Sequence, residues 1–420
     1  MSTPQIVWYG DDFTGATDTL ATAARSGRRA LLFLRLPGHA QLAAAGPLDC
    51  IGIAGAARAM APDAMRAELL PVADFFRASG ARLLHYKTCS TFDSAPQVGN
   101  IAVAVQVLRE AVGRPWAAII GGQPSLGRYC LFGHLFAAAG SGGEVFRLDR
   151  HPTMSRHPVT PMHESDLRRH LALQGLHDVA LAPYPSAGRL PALQAGMQAV
   201  LFDVADEATL AAVGQVLRRC TGTETLLAVG PSSVVQAYLG STAAPGVAPA
   251  LPAAGGPVLG LVGSLSPVTA AQVAAARSYR CLRLDPAMLA LADAVPLRAE
   301  ATRIAQALAN GPVLACVGPP DAGAPRIDAQ ALARGGGTLL AQVLQQARPA
   351  RVGIAGGDTS SLGVQALDAW GLSYRGDVGP GAPLCRLHSD RPGLDGLEIM
   401  LKGGQMGTED VFERLLHGSP

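Results

Sequence analysis

The chain has 420 residues, of which 49% are hydrophobic and 16% charged, a length and composition that predict two or three domains with cores of their own. Its formal net charge is only +2, which excludes the strongly basic surface that nucleic acid or an anionic membrane would need, so we expect small-molecule partners. Seven scattered cysteines without a C-x-x-C pair, no leader-like N-terminus and no apolar run of membrane-spanning length predict a soluble cytoplasmic protein with reduced thiols.

Short apolar runs alternate with amphipathic helical patterns along the first part of the chain. This alternation is typical of α/β folds with mainly parallel strands. Helices are expected between the strands, for example at 17–25 and at 165–174, where Ser165 could act as the N-cap. The predicted strands cover residues 5–9, 30–34, 50–54, 82–86, 117–121, 179–182, 200–204 and 225–229.

An uncharged tract rich in Ala, Pro and Gly, residues 241–256, has neither helical nor strand periodicity and predicts a linker between domains 1–240 and 257–420. After it the alternation resumes. We therefore expect two α/β domains with mainly parallel sheets and a ligand cleft between them. The second domain's strands are predicted at 258–262, 280–284, 312–317, 351–355 and 397–401, and its helices at 267–277, 299–309, 338–347, 361–370 and 409–417.

The first strand is followed by two adjacent acids, Asp11 and Asp12, with Gly10 and Gly15 on either side and Thr14 between them and the helix. Ligands of open α/β sheets bind at the carboxyl ends of strands. One carboxylate could accept a proton from a substrate hydroxyl while the other holds neighbouring hydroxyls or a metal ion. The alternative is that these side chains only cap the helix.

A second polar loop, residues 86–100, follows another predicted strand and contains Lys87, Asp93, Ser94 and Asn100. Such a mixture of donors and acceptors suits a polyhydroxylated anion, because each sugar hydroxyl both donates and accepts. A plain turn-forming loop is the alternative. The chain has only two lysines, and the presence of one of them here favours a function for the loop.

Residues 147–163 combine three arginines with two His-Pro pairs. The histidine spacing fits neither H-E-x-x-H nor a zinc finger, so a metal site is not favoured. A rigid loop able to hold a carboxylate or phosphate is the preferred interpretation, and simple surface charge is the competing one.

Three turns in the second half, at 263–267, 355–360 and 401–407, each join a strand to the start of a helix. The free amides and the dipole of a helix N-terminus favour an anion such as phosphate. Neither a Walker A loop nor a G-x-G-x-x-G dinucleotide motif in the right context is present. Together the three turns predict a nucleotide site of another kind.

These segments together resemble the four-carbon acid sugar kinase family, whose members include kinases for threonate, erythronate and 3-oxo-tetronate. The resemblance spans nearly the whole chain and implies sugar-acid binding by residues 1–240, ATP binding by 257–420 and phosphorylation of the terminal hydroxyl of a four-carbon sugar acid. The segments that carry it are GDDFTGA at 10–16, YKTCSTFDS at 86–94, HPVTPM at 157–162, GGDTS at 356–360 and LKGGQMG at 401–407.

The resemblance implies that the turns of the second half contact ATP and that the two polar loops face the sugar acid, and on this basis we predict roles for individual residues, with ATP and Mg²⁺ as cofactors. Asp12 would orient or deprotonate the hydroxyl, and Lys87 would neutralise carboxylate or phosphate charge. Asp358 would hold Mg²⁺ or itself act as the base. The sugar acid would be contacted by Asp11, Thr14, Asp93, Ser94, Asn100 and Arg128. ATP would be contacted by Ser264, Gly356, Gly357, Asp358, Thr359, Ser360, Lys402, Gly403, Gly404, Gln405, Met406 and Gly407.

Many 3-oxo-tetronate kinases have Ser, Asn and Phe where this chain has Gly403, Gln405 and Met406, which leaves the particular acid open. Two other classes of function remain at this point. A non-catalytic sensor would bind a sugar acid between two lobes, and an aldolase or isomerase acting on a phosphorylated sugar could use Lys87 in a Schiff base. A homo-oligomer is compatible with the sequence.

Overall fold

A computed structural model describes residues 3–418 apart from 141, 158, 223, 241–249 and 320–326. The chain forms two compact units, Met1–Pro245 and Gly246–Pro420. Residues 241–249 of the predicted linker lie outside the described residues, while Leu251 belongs to the hydrophobic core of the second unit. No helix in the described ranges is long and apolar enough to cross a membrane.

The first unit is built on a parallel sheet whose predicted strands are all confirmed to within one residue at each end. Its strands are β1 (Ile6–Gly10), β2 (Ala30–Phe33), β3 (Cys50–Ala54), β4 (Leu83–Lys87), β5 (Ala117–Gly121), β6 (Arg128–Leu131), β7 (His134–Ala138), β8 (Val145–Arg147), β9 (Val179–Ala182), β10 (Ala199–Asp203) and β11 (Leu226–Gly230). The order in the parallel sheet is β2-β3-β1-β4-β11-β5-β10-β9. Strands β6, β7 and β8 form a small antiparallel sheet that the apolar pattern did not predict.

The helices of the first unit are α1 (Phe13–Arg25), α2 (His39–Ala45), α3 (Pro62–Ser79), α4 (Ile101–Val112), α5 (Leu167–Ala172), α6 (Glu207–Thr221) and α7 (Ser233–Leu239). Helix α1 begins four residues earlier than predicted, because Asp12 caps it by accepting a hydrogen bond from the Gly15 amide at 2.8 Å. The prediction that Ser165 caps α5 is wrong. Asp166 is the cap and accepts from the Arg168 amide at 3.0 Å.

The second unit has a mixed sheet with the order β13-β14-β12-β15-β18-β17-β16. Its strands are β12 (Val258–Val262), β13 (Arg280–Leu284), β14 (Val313–Val317), β15 (Arg351–Ala355), β16 (Gly371–Gly379), β17 (Ala382–His388) and β18 (Glu398–Lys402). Strands β13, β14, β12, β15 and β18 are parallel, and the β16–β17 hairpin, which the sequence did not predict, adds antiparallel strands to β18.

The helices of the second unit are α8 (Pro267–Ala275), α9 (Pro286–Leu291), α10 (Ala294–Leu308), α11 (Ala329–Gln346), α12 (Gly357–Gln365) and α13 (Val411–His417). The helix predicted at 361–370 is in fact α12, which begins directly after Gly356 and ends five residues early. The chain that follows α12 leads directly into β16, because the backbone amide of Trp370 already donates a hydrogen bond to the His388 carbonyl at 2.9 Å.

A buried arginine at the start of β15 joins three parts of the second unit. Arg351 donates to Glu398 at 2.7 Å, to the Leu415 carbonyl at 2.9 Å and to the Pro252 carbonyl at 2.8 Å. Its side chain is 3% exposed. The guanidinium therefore ties the chain that enters this unit to β18 and to the end of α13.

We predict that Arg351→Met destabilises the second unit by about 3 kcal/mol, because it leaves a carboxylate and two carbonyls without their buried donor. The matched control is Arg375→Met. Arg375 contacts the same Glu398, at 3.6 Å, but its side chain is 56% exposed. Such a surface pair contributes less than about 1 kcal/mol. Urea unfolding of both variants checks the difference, and equal losses would contradict the role given to Arg351.

Candidate functional site

The acids of the first unit lie at the carboxyl edge of its sheet, where three neighbouring strands end. Asp11 and Asp12 follow β1, Lys87 is the last residue of β4, and Arg58 follows β3. The register of the parallel pair places Gly10 opposite Lys87. Two predicted loops therefore meet at one edge, together with an arginine that sequence reasoning missed.

Arg58 binds both acids. Its Nε and Nη2 donate to the two carboxylate oxygens of Asp11 at 3.1 and 2.7 Å, and its Nη1 lies 2.9 Å from Oδ2 of Asp12. Asp11 is buried, and this burial raises its pKa although the adjacent Arg58 opposes the shift. Asp12 is more accessible, since its side chain is 22% exposed. The accessible acid of the pair is therefore Asp12.

Lys87 lies beside the first turn of α1, and Gly15 makes room for it. A Cβ at Gly15 would lie 2.4 Å from Lys87 Nζ and 2.5 Å from Asp12 Oδ1. The buried ammonium donates to the Thr88 carbonyl at 2.6 Å. Absence of a side chain at this one position thus lets an ammonium and a carboxylate approach the same helix turn.

Two polar atoms near these loops have no hydrogen-bond partner among the described residues, namely Thr14 Oγ1 and Arg128 Nε. Buried polar atoms normally have a partner, so unpaired ones in a site are available to a ligand. Burial lowers the pKa of Arg128, and the nearby Cys89 and Asp93 oppose that shift. Asp93 accepts from Thr91 Oγ1 at 2.6 Å.

Ser94 and Asn100, also predicted to bind substrate, point into the protein. Ser94 Oγ donates to the Phe92 carbonyl and accepts from Gln174 Nε2, both at 2.8 Å. Asn100 caps α4 by accepting from the Val103 amide at 3.0 Å, and its Nδ2 donates to the Gln174 carbonyl at 3.2 Å. These two side chains support the loop that carries Asp93.

A second polar group at the same edge was also missed. Gln123 and Ser232 follow β5 and β11, and Gln123 Nε2 donates to Ser232 Oγ at 2.8 Å and to Asp18 on α1 at 3.3 Å. Ser232 also donates to Asp18. The rule that polar side chains after parallel strands meet at one edge could have identified Gln123 and Ser232, as well as Arg58.

The histidines of the Arg- and His-rich stretch stabilise their own loop. His151 Nδ1 accepts from the amides of Thr153 and Met154 at 3.1 and 3.2 Å. His157 Nδ1 accepts from the Thr160 amide at 3.1 Å. Anion binding by this loop stays a prediction, and these imidazole nitrogens are already used by the backbone.

The three anion-ready turns of the second unit also converge, because β12, β15 and β18 are neighbouring parallel strands. Ser264 N donates to the Ala355 carbonyl at 3.1 Å, and Gly356 N donates to the Lys402 carbonyl at 3.0 Å. A Cβ at Gly404 would lie 2.4 Å from Ser264 Oγ. The predicted nucleotide-binding turns are therefore in direct contact with one another.

Helix α12 begins in the centre of these turns. Its N-cap is Gly356 with φ of +125°, and within the described ranges no side chain caps it. Nothing lies within 4 Å of a Cβ built at Gly357, so there is open space beside this first residue of the helix. Asp358 is in the first turn, whereas the buried Ser360 donates to the Ile354 carbonyl at 3.3 Å. Thr359 Oγ1 lies against Gly263, where a Cβ would be only 2.1 Å away.

Lys402 ends β18 beside this helix start and is fully buried. It donates to Thr269 Oγ1 at 3.3 Å and to the Gly403 carbonyl at 3.1 Å. Burial lowers the pKa of Lys402 to about 8. The second unit therefore offers uncapped amides at the start of α12 and an ammonium at the end of the neighbouring strand β18, two kinds of donor that phosphate oxygens accept.

The turn after Lys402 is fixed by hydrogen bonds from Gln272 on α8. Gln272 Nε2 donates to the carbonyls of Met406, Gly407 and Thr408 at 3.0, 3.1 and 3.0 Å. Gln405, which lies in this turn directly before Met406, is exposed. The backbone of the turn is thus fixed while the Gln405 side chain is free to contact a ligand.

Comparison with known proteins agrees with this division of the chain. Residues 6–238 match the family model of a sugar-binding N-terminal domain, and residues 259–412 match that of a nucleotide-binding C-terminal domain. A crystal structure from Salmonella typhimurium LT2 has a TM-score of 0.79 and 24% identity over 97% of this chain and 98% of that one, a likeness that shows the fold.

Two relatives are similar along their whole length. A 3-oxo-isoapionate kinase of Paraburkholderia graminis is 39% identical, covering 98% of this chain and 94% of the relative. A 3-oxo-tetronate kinase of Cupriavidus necator is 30% identical, covering 98% and 96%. The chain belongs to the four-carbon acid sugar kinase family. It is a phosphotransferase with a sugar-acid alcohol as acceptor, and neither a sensor nor an aldolase or isomerase.

We predict that Gly15→Ala lowers kcat by about a hundredfold, because Lys87 Nζ and the Asp12 carboxylate must both move away from the added methyl group. Alanine suits a helix turn better than glycine, but the displaced Asp12 carboxylate is the N-cap of α1, so the melting temperature should fall only modestly while kcat falls strongly. The control is Gly38→Ala, where a Cβ meets nothing within 4 Å. Steady-state kinetics and a thermal melt test both variants, and normal kcat in Gly15→Ala would contradict the placement of Lys87 and Asp12.

Proposed function

We propose that the protein transfers the γ-phosphoryl group of ATP, bound with Mg²⁺, to the terminal hydroxyl of a 3-oxo sugar acid. The observation that carries this proposal is the meeting of an uncapped helix start, α12, with buried Lys402 at three neighbouring strand ends. The two relatives' names share a 3-oxo sugar acid, which supports the substrate class. The chain is 39% identical to the 3-oxo-isoapionate kinase and 30% identical to the 3-oxo-tetronate kinase, and this difference favours an acid like 3-oxo-isoapionate as the substrate.

In the second unit we assign the phosphates to the amides at the start of α12. Gly357 leaves open space at the first turn for the phosphate oxygens, and Lys402 supplies the positive charge. Ser264 and the 403–407 turn, which touch each other, would bind the rest of the nucleotide. The backbone amides act here as preorganised donors, which need no rearrangement as charge shifts during transfer.

Asp358 is the residue that we propose for Mg²⁺. It lies in the first turn of α12 and is exposed. Mg²⁺ is usually bound by one or two carboxylates together with phosphate oxygens and water, so a single carboxylate beside the phosphate site fits. When bound, the ion would neutralise charge on the phosphates.

In the first unit we assign the acceptor alcohol to Asp12. The alcohol oxygen attacks the γ-phosphorus, its proton passes to the Asp12 carboxylate, and the bond from the γ-phosphorus to the bridging oxygen of ADP breaks. Lys87, Thr14 Oγ1 and Arg128 Nε are the donors for the acid's carboxylate and hydroxyls. Two of these atoms have no other partner in the described part of the chain.

The proposal is tested by incubating the protein with ATP, Mg²⁺ and a panel of 3-oxo-isoapionate, 3-oxo-tetronate, threonate and erythronate. We expect ADP release that depends on a 3-oxo acid, with a phosphorylated acid as product. Asp12→Asn should lower kcat by about a hundredfold or more while ATP affinity stays unchanged. Asp63→Asn, a change on the exposed start of α3, is the control. ADP release with no acid dependence in the wild type would overturn the proposal.

We predict that ATP affinity falls as the pH rises above 8. Burial lowers the pKa of Lys402 to about 8. Below that pH the Lys402 amine is already protonated in the free protein, whereas above it the amine must take up a proton when the phosphates bind. The dissociation constant should then rise by up to about tenfold per pH unit between pH 8.5 and 9.5.

Calorimetry in two buffers of different ionisation enthalpy measures this proton uptake directly. Lys402→Met should weaken ATP binding at pH 7.5 by about tenfold or more and abolish the pH dependence. Lys402→Arg keeps a charge that does not titrate in this range and serves as the second comparison. An unchanged pH dependence in Lys402→Met would assign the proton to another group.

A further inference from the structure

Arg58 sits where three loops of the first unit cross. It belongs to a short 3-10 turn, Ala57–Ala59, after β3, and its amide donates to the Asp11 carbonyl at 3.1 Å. On the other side, Gly99 has φ of +61° and a Cβ there would lie 2.6 Å from the Arg58 carbonyl oxygen. The loops after β1 and β4 are therefore both packed on the backbone of this arginine.

The side chain of Arg58 fixes the orientation of Asp12. One oxygen of Asp12 accepts from the Gly15 amide at 2.8 Å, and the other lies 2.9 Å from Arg58 Nη1. With a donor on each oxygen, the carboxylate cannot rotate without breaking a bond. Each oxygen still has a lone pair with which to accept a bond from a substrate hydroxyl.

Arg58 also neutralises the second acid. The Nε and Nη2 atoms of Arg58 donate two hydrogen bonds to Asp11, whose side chain is 5% exposed. Two adjacent carboxylates without this cation would repel each other and share a proton. That proton would compete with the one that Asp12 must accept.

Other titratable groups around the pair do not replace this cation. Burial raises the pKa of the Cys89 thiol to about 11 and holds the pKa values of Tyr9 and Tyr86 well above their usual range, so these three groups are neutral. Lys87 is the other cation near Asp11. Glu68 and Asp93 add negative charge around this cluster and Arg128 adds positive charge, so loss of Arg58 would leave Lys87 as the remaining cation that acts on Asp11.

We propose that Arg58 is a positioning residue for phosphoryl transfer, which holds the Asp12 carboxylate in one orientation and, by binding Asp11, leaves Asp12 as the proton acceptor of the pair. This inference rests on the function proposed above. It gives the adjacent acids different tasks: Asp11 anchors Arg58, and Asp12 acts on the substrate.

The test compares Arg58→Met, Arg58→Lys and the double variant Asp11→Asn/Arg58→Met. In Arg58→Met we expect kcat to fall by about a hundredfold and the acidic limb of the kcat/KM profile to move up by about one pH unit, with KM for ATP unchanged. Arg58→Lys restores charge but not the fork and should recover activity only partly. The double variant removes the competing acid, so its acidic limb should return towards that of the wild type.

The control is Arg29→Met, which removes an exposed arginine paired with Asp49 at the opposite edge of the sheet. It should leave both kcat and the pH profile unchanged. A loss of kcat in Arg58→Met without movement of the acidic limb would indicate a purely structural role and overturn the proposal. So would kcat within about threefold of wild type.

A second measurement separates this inference from the proposed function. Carboxyl ¹³C NMR titration of Asp11 in the free protein needs no turnover, and Arg58→Met should raise the pKa of Asp11 further, because the cation that opposes the effect of burial is lost. Thermal melts show whether each variant is folded, and the double variant supplies a folded comparison if Arg58→Met is not. A shifted titration in a protein that phosphorylates no acid would reject the function alone, and an unshifted one would reject the role of Arg58.

Discussion

The parallel pairing of neighbouring strands is the constraint on which both candidate sites depend. Because parallel strands all end at the same edge, β3, β1 and β4 bring Arg58, the paired acids and Lys87 together. In the second unit β12, β15 and β18 do the same for three turns. Most residues with a proposed role in chemistry follow from this geometry, since they lie within a few residues of the end of a parallel strand, whereas Arg128 begins β6 of the small antiparallel sheet.

The two kinds of basic residue have different tasks in this chain. Arg58 and Arg351 each bind several acceptors at once, which the planar guanidinium fork allows. The only lysines, Lys87 and Lys402, are both the last residue of a strand and both buried. A compact ammonium at the end of a strand can face a ligand while its stem stays within the core of the sheet, so Arg58 and Arg351 hold the architecture, while both lysines are assigned to ligands in the proposed function.

Close approach in both sites depends on missing side chains. Gly15 admits the Lys87 ammonium, and Gly404 admits Ser264 Oγ. Gly357 differs, because no atom of the described residues lies within 4 Å of a Cβ placed there. The sequence marks all three as glycines in turns, but only the packed structure distinguishes a glycine that makes room for protein from one with open space beside it.

The sequence by itself determined the α/β class, nearly all strands of the two sheets, the ordered motifs and the family, because apolar periodicity and turn chemistry are local properties of the chain. It did not predict Arg58, which lies 47 residues from its partner Asp11, or the contact of Gln123 with Ser232, 109 residues apart. It also did not predict that Ser94 and Asn100 point inward. Only the order of strands in the sheet decides which distant side chains meet and which are already satisfied, and that order is not written in any local pattern.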